Sequence, residues 1–476
     1  MDSDNNRIKK YVSIVPNERQ KIVQEMGFYA FIHFTINTFT GKEWGNGKEN
    51  PSIFNPKELD TDQWCSAIKS AGMKGVVLTA KHHDGFCLWQ TQTTEHSIKN
   101  ASYKQGKGDV VKELSESCKK YGLKMGVYLS PWDRNSEYYG TDKYMDFYIS
   151  QLTELLTNYG EIFMLWLDGA CGSNLDGKPC QKYDFQRIYD TALSLQPKIV
   201  MSGCAPDVRW VGNESGIARE SEWNIVPLFD YGTQNITQTA QRDENAKAFQ
   251  KRCVDVMTKD MGSREFLSKY DEFMWYPAEV DVSIRPGWFY HPLETFFVKS
   301  IKKLMKIYFG SVGGNSLLIL NVPPNKKGLL CNKDVKRLRE LGNNIKLIDF
   351  LRIKNVNYDS DIIGKECFSI SNIKEGKTFS PIEIREKYNI IAQFDKDLID
   401  KVILKEDTDF SQRVESFSLF AQTEEGEKEI YKGTVIGFKK IALFNPLETD
   451  RIRLEIKDCR FEPYICRFSV HKKPET

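Results

Sequence analysis

Residues 123–170 read LKMGVYLSPWDRNSEYYGTDKYMDFYISQLTELLTNYGEIFMLWLDGA and contain two apolar runs separated by an amphipathic segment. The runs, Lys124–Ser130 and Ile162–Asp168, are apolar almost throughout, as in strands that are buried on both faces. Between them, Tyr144–Tyr159 repeats its apolar residues with a helical period, and Gly160, a residue type that commonly ends helices, follows it. The stretch therefore predicts a strand, a helix and a second strand parallel to the first.

The same alternation extends in both directions from this unit. Further strands are predicted at Phe28–Phe34, Gly75–Ala80, Ile199–Ser202, Ala278–Ile284 and Ser316–Val322, and further helices at Asp62–Gly72, Asp109–Tyr121, Phe185–Leu195 and Leu293–Tyr308. At least seven strands in about 300 residues favour a closed barrel over an open sheet. No GxGxxG motif follows the first strand, which argues against a dinucleotide-binding fold. We predict an α/β chain whose residues 1–345 form a TIM-like (β/α)-barrel domain.

The pattern changes after about residue 350. Short runs of strand character follow, separated by turn-like or charged residues, and several of them alternate apolar and polar side chains. They are Ile390–Phe394, Lys401–Leu404, Ser416–Ala421, Ile441–Leu443 and Ile452–Ile456. This pattern predicts an antiparallel β-sandwich as a second domain over residues 346–476. Inside the barrel region, the polar stretch from Asp230 to Tyr270 fits the barrel pattern poorly and predicts a helical insertion or a mobile loop.

The amino-acid composition limits which binding partners and which cellular compartment are expected for this chain. The chain has 67 basic and 65 acidic residues and no basic stripe, which argues against nucleic acid or an anionic membrane surface as a partner. No apolar run approaches about 18 residues, so we predict no membrane span. The eleven cysteines form no CxxC pair and predict buried reduced thiols rather than a disulfide framework or a zinc site. Because the N-terminus lacks an apolar signal segment, we expect a cytoplasmic protein, with a secreted or periplasmic chain that lost its signal as the alternative.

Side chains that can do chemistry follow the ends of several predicted strands. In a (β/α)-barrel these ends meet on one face, where active sites lie. His33 ends the first strand, His82 and His83 follow the second, Tyr128 lies near the end of the third, and Asp168 ends the fourth. The later strand ends are accompanied by Glu214, Glu220, Glu222, Trp288 and His291. The sequence therefore predicts one site rich in carboxylates, histidines and aromatic rings.

Asp168 is the most informative of these positions. A carboxylate directly after an apolar strand costs free energy to bury unless it is paired or functional. Glycoside hydrolysis needs two carboxyl groups facing one bond, and the candidates for the second are Glu214, Glu220 and Glu222. Two alternatives stay open: Asp168 as a helix cap or ion-pair partner, and a metal site built from His33, His83 and Asp168. We favour histidines that hydrogen-bond sugar hydroxyls over histidines that bind a metal.

Five stretches of the chain resemble one known family. They are GFYAFIHFTINTFTGKEWGNG at 27–47, VVLTAKHHDGFCLW at 76–89, GLKMGVYLSPWDR at 122–134, MLWLDGA at 164–170 and NSLLILNVPPNKKGLL at 315–330. Together they resemble glycoside hydrolase family 29, the α-L-fucosidases. The resemblance runs in order through most of the barrel region and has no sharp motif in the C-terminal segment.

The resemblance implies roles for individual residues, a retaining double displacement and no cofactor or metal. Asp168 matches the nucleophile. The residues that match fucose-holding positions are His33, Glu43, Trp44, His82, His83 and Tyr128, and Trp288 matches one that packs near the fucose methyl group. The stretch WVGNESG at 210–216 resembles the branch that prefers α1,3 and α1,4 linkages. That branch places the acid/base at Glu214, and Glu222 remains its rival.

These resemblances predict a function. We expect an exo-acting α-L-fucosidase that removes terminal fucose from branched, Lewis-type glycans, with a fucosylated oligosaccharide or glycoconjugate as its partner. Two alternatives from other classes remain open at this point. One is a non-catalytic protein that binds fucosylated glycans, and the other is a metal-dependent hydrolase on the same barrel.

Overall fold

Eight parallel strands close into a barrel in the computed structural model of the chain, which describes residues 2–174, 177, 180–228, 242–243 and 260–474. We label them β1 to β8 in chain order: Phe28–Ile32, Gly75–Lys81, Lys124–Leu129, Ile162–Leu167, Val200–Gly203, Val208–Trp210, Ala278–Ser283 and Leu317–Asn321. Each strand pairs with the next one along the chain, and Phe28 of β1 lies opposite Leu318 of β8. The predicted (β/α)-barrel is confirmed.

The helices of the described residues lie around and beside this barrel. They are α1 to α10 in chain order: Asp2–Val12, Glu18–Met26, Ile36–Thr40, Thr61–Ser70, Val110–Tyr121, Tyr144–Asn158, Phe185–Leu195, Arg264–Leu267, Ile301–Gly310 and Asn332–Phe350. Their ends follow the local sequence. At α5, for example, the Asp109 carboxylate accepts a hydrogen bond from the Lys112 amide, and Gly122 ends the helix at φ +67°.

Two elements of the barrel differ from the prediction. Strand β6 spans only Val208–Trp210 and includes an arginine, so it lacks the apolar run by which the other strands are recognised. The helix predicted over Leu293–Tyr308 is instead a 3-10 segment, Pro292–Phe297, followed by α9. The Ser300 hydroxyl accepts a hydrogen bond from the Lys303 amide and starts α9 there.

Side chains alternate along each barrel strand between the interior and the surrounding helices. Tyr29, Phe31, Val77 and Ile319 belong to one buried interior cluster. A carboxylate, Glu279 of β7, is fully buried below the strand ends. It accepts hydrogen bonds from Tyr29 Oη, Trp166 Nε1 (2.6 Å) and Ser202 Oγ (2.9 Å). Burial raises the pKa of Glu279, so this polar group braces four strands without needing a counter-ion.

The C-terminal region forms an antiparallel β-sandwich, as predicted. Its six strands, β9 to β14, are Asn357–Ser360, Tyr388–Glu406, Val414–Thr423, Gly426–Gly433, Lys440–Cys459 and Ile465–Lys472. The register shifts along β10 and β13 divide both long strands into halves with different neighbours, and side chains from both halves share one core. The boundary predicted between residues 345 and 346 lies inside α10.

One cysteine prediction is wrong. Cys171 and Cys180 form a disulfide, with their Cα atoms 5.5 Å apart, in the segment that follows β4. Reduced thiols were expected because no spacing in the sequence marks this pair. Cys65 and Cys118 are buried and free, and their sulfur atoms approach to 3.9 Å.

Two further predictions concern the chain as a whole. In the residues that the structure describes, no helix is long and apolar enough to cross a membrane. The insertion predicted between Asp230 and Tyr270 lies mostly outside the described residues. Its described part includes α8. The strand Phe273–Trp275 begins just after the predicted insertion and pairs antiparallel with Ile225–Pro227.

Candidate active site

Asp168 stands at the C-terminal end of β4 with its carboxylate held by two donors. Tyr128 Oη donates to Oδ2 over 2.9 Å, and the Ala170 amide donates to Oδ1 over 2.7 Å. His83 Nε2 lies 3.8 Å from Oδ2. The side chain remains 28% exposed, so solvent or a ligand reaches the carboxylate from above the barrel. The two hydrogen bonds fix the orientation of this partly exposed carboxylate.

Three histidines line the floor beside Asp168. The rings of His82 and His83 lie 4.1 Å apart, and His33 lies 5.7 Å from His82. Nδ1 of His33 is 2.9 Å from Asn321 Oδ1, and Nδ1 of His83 is 2.7 Å from Ser130 Oγ. Burial lowers the pKa of His33 to about 3 and that of His83 to about 4, and it also lowers the pKa of His82. All three rings are therefore neutral at neutral pH, and the His82 Nδ1 is buried without a partner.

The loop after β7 forms one side of the site, where it contacts Glu43 from the loop after β1. The amides of Trp288 (3.0 Å) and Phe289 (3.4 Å) donate to the Glu43 carboxylate, and His291 Nε2 lies 3.2 Å from it. Burial raises the pKa of Glu43 in spite of these contacts. The Trp288 ring also lies 5.0 Å from the His33 ring. Segments that are about 245 residues apart in sequence thus form one wall.

Glu214 faces the same site from the loop after β6. Trp288 Nε1 donates to its Oε2 over 3.0 Å. The Glu214 side chain is exposed to solvent, yet the protein around its carboxyl desolvates it enough to raise the pKa of Glu214. The negative charges of Asp168 and Glu43 raise this pKa further, whereas the bond from Trp288 lowers it. The raised pKa makes the Glu214 carboxyl better suited to hold a proton than a free glutamate, and it does so close to the Asp168 carboxylate.

Glu222 lies elsewhere and has a different environment. Its carboxylate is fully buried between Arg209 and Arg219, the latter 3.2 Å away. Burial opposes ionisation, but the two guanidinium groups outweigh it and lower the pKa of Glu222. A carboxylate paired in this way braces the loop that begins at β6 and is poorly suited to donate a proton. Glu220, between the two, is exposed.

A metal-dependent hydrolase would need a cluster of side chains that can share one metal ion. Within the described ranges, no three His, Cys, Asp or Glu side chains are placed to share one ion. The arrangement instead offers two carboxyl groups in different environments, neutral imidazoles and exposed indole surface. Paired carboxyl groups of this kind are the acid/base and nucleophile of glycoside hydrolysis.

Known proteins share both the sequence and the fold. The family model described as alpha-L-fucosidase matches residues 17–348. Alpha-L-fucosidase 1 of Arabidopsis thaliana is 40% identical over 468 residues, which cover 95% of this chain and 86% of that protein. The chain belongs to the α-L-fucosidase family. It is accordingly a glycoside hydrolase.

The fold of this fucosidase also matches solved structures of other fucosidases. A putative alpha-L-fucosidase from Bacteroides ovatus superposes with a TM-score of 0.85 at 44% identity, covering 99% of this chain and 77% of that one. A Ruminococcus gnavus GH29 fucosidase in complex with fucose superposes with a TM-score of 0.83 at 28% identity, covering 97% and 95%. Both the barrel and the sandwich lie within these matches.

The predicted site residues of the fucosidase lie together on the C-terminal face of the barrel. Around Asp168 the structure places His33, Glu43, Trp44, His82, His83, Tyr128, Glu214 and Trp288. Trp44 is 46% exposed and its ring edge meets His83 and Trp132. The aromatic partner of Glu214 is Trp288, although Trp210 and Trp223 are nearer to it in sequence.

Three supporting residues were not among the predicted site residues. Asn321 holds the His33 ring, and Ser130 holds the His83 ring. Asp281 of β7 is buried, accepts a hydrogen bond from Trp210 Nε1 over 2.9 Å, and has its pKa raised by burial and by Glu214. The available signal was the alternation of AEVDVS at 278–283, which puts Glu279 and Asp281 on one face of the strand.

Replacing Glu222 by Gln is expected to destabilise the fucosidase and to spare catalysis by the folded fraction. The change removes the carboxylate that pairs with buried Arg209 (3% exposed) and Arg219 (9% exposed), and breaking buried ion pairs in this way costs about 3–5 kcal/mol. Urea unfolding measures this loss, with Glu220→Gln as an exposed control that should change stability by about 0.5 kcal/mol or less. A stable Glu222→Gln variant with abolished kcat would instead assign the proton donor to Glu222.

Proposed function

We propose that this α-L-fucosidase is a retaining exo-hydrolase of terminal α1,3- and α1,4-linked fucose on branched glycans, with Asp168 as nucleophile and Glu214 as acid/base. The observation that supports it most is the contrast between these two carboxyl groups. Asp168 accepts hydrogen bonds from Tyr128 Oη and from the Ala170 amide, which orient its carboxylate, whereas desolvation and neighbouring negative charge raise the pKa of Glu214.

The first half of the proposed reaction forms a covalent intermediate. An Asp168 oxygen attacks the anomeric carbon of the α-linked fucose as the bond to the leaving oxygen breaks, and Glu214 transfers its proton to that oxygen. The product is a fucosyl-enzyme in which the sugar is β-linked to Asp168. In the second half, Glu214 accepts a proton from water, the water oxygen attacks the same carbon, and α-L-fucose leaves with Asp168 ionised again.

The remaining site residues fit the recognition of a neutral deoxy sugar. Neutral His33, His82 and His83 each have a ring nitrogen that can donate to or accept from a hydroxyl. Tyr128 and Glu43 add further polar contacts, and the exposed indole face of Trp44 offers an apolar surface for sugar C–H groups. Neutral rings suit hydroxyl groups because no buried charge is left unpaired when the site empties.

The linkage preference rests on the resemblance of WVGNESG at 210–216, which contains Glu214, to the α1,3/α1,4 branch. The direct test is to incubate the enzyme with a Lewis-type trisaccharide or an α1,2-linked fucosyl sugar, each with and without a chelator. We expect fucose from the branched sugar only, at a rate that the chelator leaves unchanged. Equal release from the α1,2-linked sugar would refute the branch assignment, and loss of activity with the chelator would refute the metal-free mechanism.

Trp288→Phe is expected to move the basic limb of the kcat/KM profile to higher pH. The Trp288 Nε1–H stabilises the ionised form of Glu214, so its removal raises the pKa of Glu214. Activity requires protonated Glu214 and falls as pH rises through that pKa, so a higher pKa extends activity upward. Trp44→Phe is the matched control, because the Trp44 ring contacts His83 and Trp132. A basic limb that stays in place in Trp288→Phe would contradict the assignment of this limb to Glu214.

A further inference from the structure

A second concave site lies on the same face of the barrel, outside the active site. It is a groove of about 690 Å³, within the range typical of small-molecule sites. The loops that follow β1, β2 and β3 form its walls, and Phe147 from the first turn of α6 completes them. Each of the three loops contributes to the active site first, at Trp44, His83 and Trp132, and reaches the groove a few residues later.

The groove offers an apolar surface beside hydrogen-bonding groups. The half-buried rings of Tyr138 and Phe147 lie 5.7 Å apart and form one side. Neutral amide and hydroxyl side chains, among them Gln92 and Asn135, line much of the rest. Aromatic faces pack against the C–H face of a sugar ring, and amides and hydroxyls match its hydroxyl groups.

A buried polar atom lies in the wall of the groove with no partner. His96 is 6% exposed, and its Nε2 has no hydrogen-bond partner. Its ring is hydrogen-bonded to the backbone of Asp84, and burial lowers its pKa, so the imidazole is neutral. A neutral imidazole that donates through Nδ1 leaves Nε2 as an acceptor. This buried nitrogen adds an unsatisfied acceptor to the wall, beneath the surface of the groove.

Contacts within the protein hold the walls in place. Asp133 is paired with Lys81 over 3.0 Å, both groups being buried, and it accepts hydrogen bonds from the Asn135 and Ser136 amides. The Asn135 side-chain amide donates to the Gly47 carbonyl over 2.8 Å and joins two of the loops. A preformed groove loses little conformational entropy on binding, which favours a specific ligand.

From these contacts we infer that the groove is a second carbohydrate site, which binds neutral hexose or N-acetylhexosamine residues separately from the active site. Charge argues for a neutral ligand over an anionic one. Glu49, Glu95 and Glu137 line the groove, whereas Lys48 is the single lysine or arginine among the described lining residues. The inference is independent of the fucosidase chemistry, because none of these side chains touches Asp168 or Glu214 in the described contacts.

The test uses two unfucosylated disaccharides, lactose and N,N′-diacetylchitobiose, with the wild-type enzyme and saturating free fucose. Ligand-observed NMR titration is expected to show that at least one of them binds while fucose is present. Tyr138→Ala should weaken that binding roughly tenfold, because it removes the stacking ring, while Tyr138→Phe keeps it. Gln92→Trp places a bulky ring at an exposed lining position and should abolish binding without disturbing the core.

Three results would overturn the inference. They are the absence of binding to wild type, displacement of the disaccharide by fucose, and unchanged binding in both Tyr138→Ala and Gln92→Trp. The thermal midpoint of each variant shows whether it is folded, and the two substitutions act at different walls, so one unfolded variant leaves the other decisive. Release of nitrophenol from an aryl α-L-fucoside by wild type is measured separately and bears only on the proposed function.

Discussion

Substitution of Asp168 by Asn is expected to lower kcat by roughly 10³-fold or more, the scale observed when an enzyme loses its nucleophile. The asparagine keeps the size of the side chain and can still accept from Tyr128 Oη, so the site should stay assembled. It cannot form the ester to the anomeric carbon, so no fucosyl-enzyme accumulates. The measurement is hydrolysis of an aryl α-L-fucoside under single-turnover conditions.

The stereochemistry of rescue makes this prediction specific. In Asp168→Ala, azide can occupy the space of the lost carboxylate and attack the anomeric carbon directly, which gives β-L-fucosyl azide. Asp142→Asn, at an exposed carboxylate, serves as the control and should retain wild-type kcat. An Asp168→Ala variant that still hydrolyses the fucoside at the wild-type rate would show that Asp168 is not the nucleophile. A protein that only binds glycans would show no hydrolysis with or without the substitution.

Substitution of Glu214 by Gln is expected to lower kcat/KM by about 10²–10⁴-fold for an oligosaccharide, which needs a proton on its leaving oxygen. A dinitrophenyl fucoside needs little protonation, so its first step should be spared. The basic limb of the pH profile should also disappear in this variant, because the group whose raised pKa produces it is gone. Rates for the two substrates across the pH range test both statements.

The product formed with azide distinguishes the role of Glu214 from that of Asp168. In Glu214→Ala the fucosyl-enzyme still forms on Asp168, so azide attack on it gives α-L-fucosyl azide, the opposite anomer to that from Asp168→Ala. Glu220→Gln changes an exposed carboxylate six residues away and is the matched control, with kinetics expected to equal wild type. Equal losses for the oligosaccharide and the dinitrophenyl fucoside in Glu214→Gln would contradict the acid role.

Much of the barrel was predictable because its strands are buried on both faces and therefore read as apolar runs. The same logic revealed Asp168, since a carboxylate at the end of IFMLWL has few structural uses. The helices between the strands were recognisable from period and caps, as at α5, where Asp109 and Gly122 mark both ends. The order of the strand ends then placed the histidines and Asp168 on one face.

What could not be predicted depends on contacts between distant parts of the chain. Strand β6 is three residues long and is a strand because β5 and β7 pair with it, not because of its own composition. The difference between Glu214 and Glu222 depends on tertiary contacts. Trp288, 74 residues from Glu214 in sequence, donates a hydrogen bond to Glu214, whereas two arginines pair with the buried carboxylate of Glu222. The Cys171–Cys180 disulfide likewise depends on the path of a loop that no spacing encodes.

In the proposed mechanism, Asp168 becomes covalently bonded to fucose during turnover. The most direct measurement is to inactivate the enzyme with 2-deoxy-2-fluoro-fucosyl fluoride, digest it, and map the modified peptide by mass spectrometry. We expect one fucosyl adduct, on the peptide that contains Asp168, and none in Asp168→Asn. An adduct on Glu214, Glu222 or Asp281, or turnover of the probe with the anomeric configuration inverted and no adduct, would contradict it.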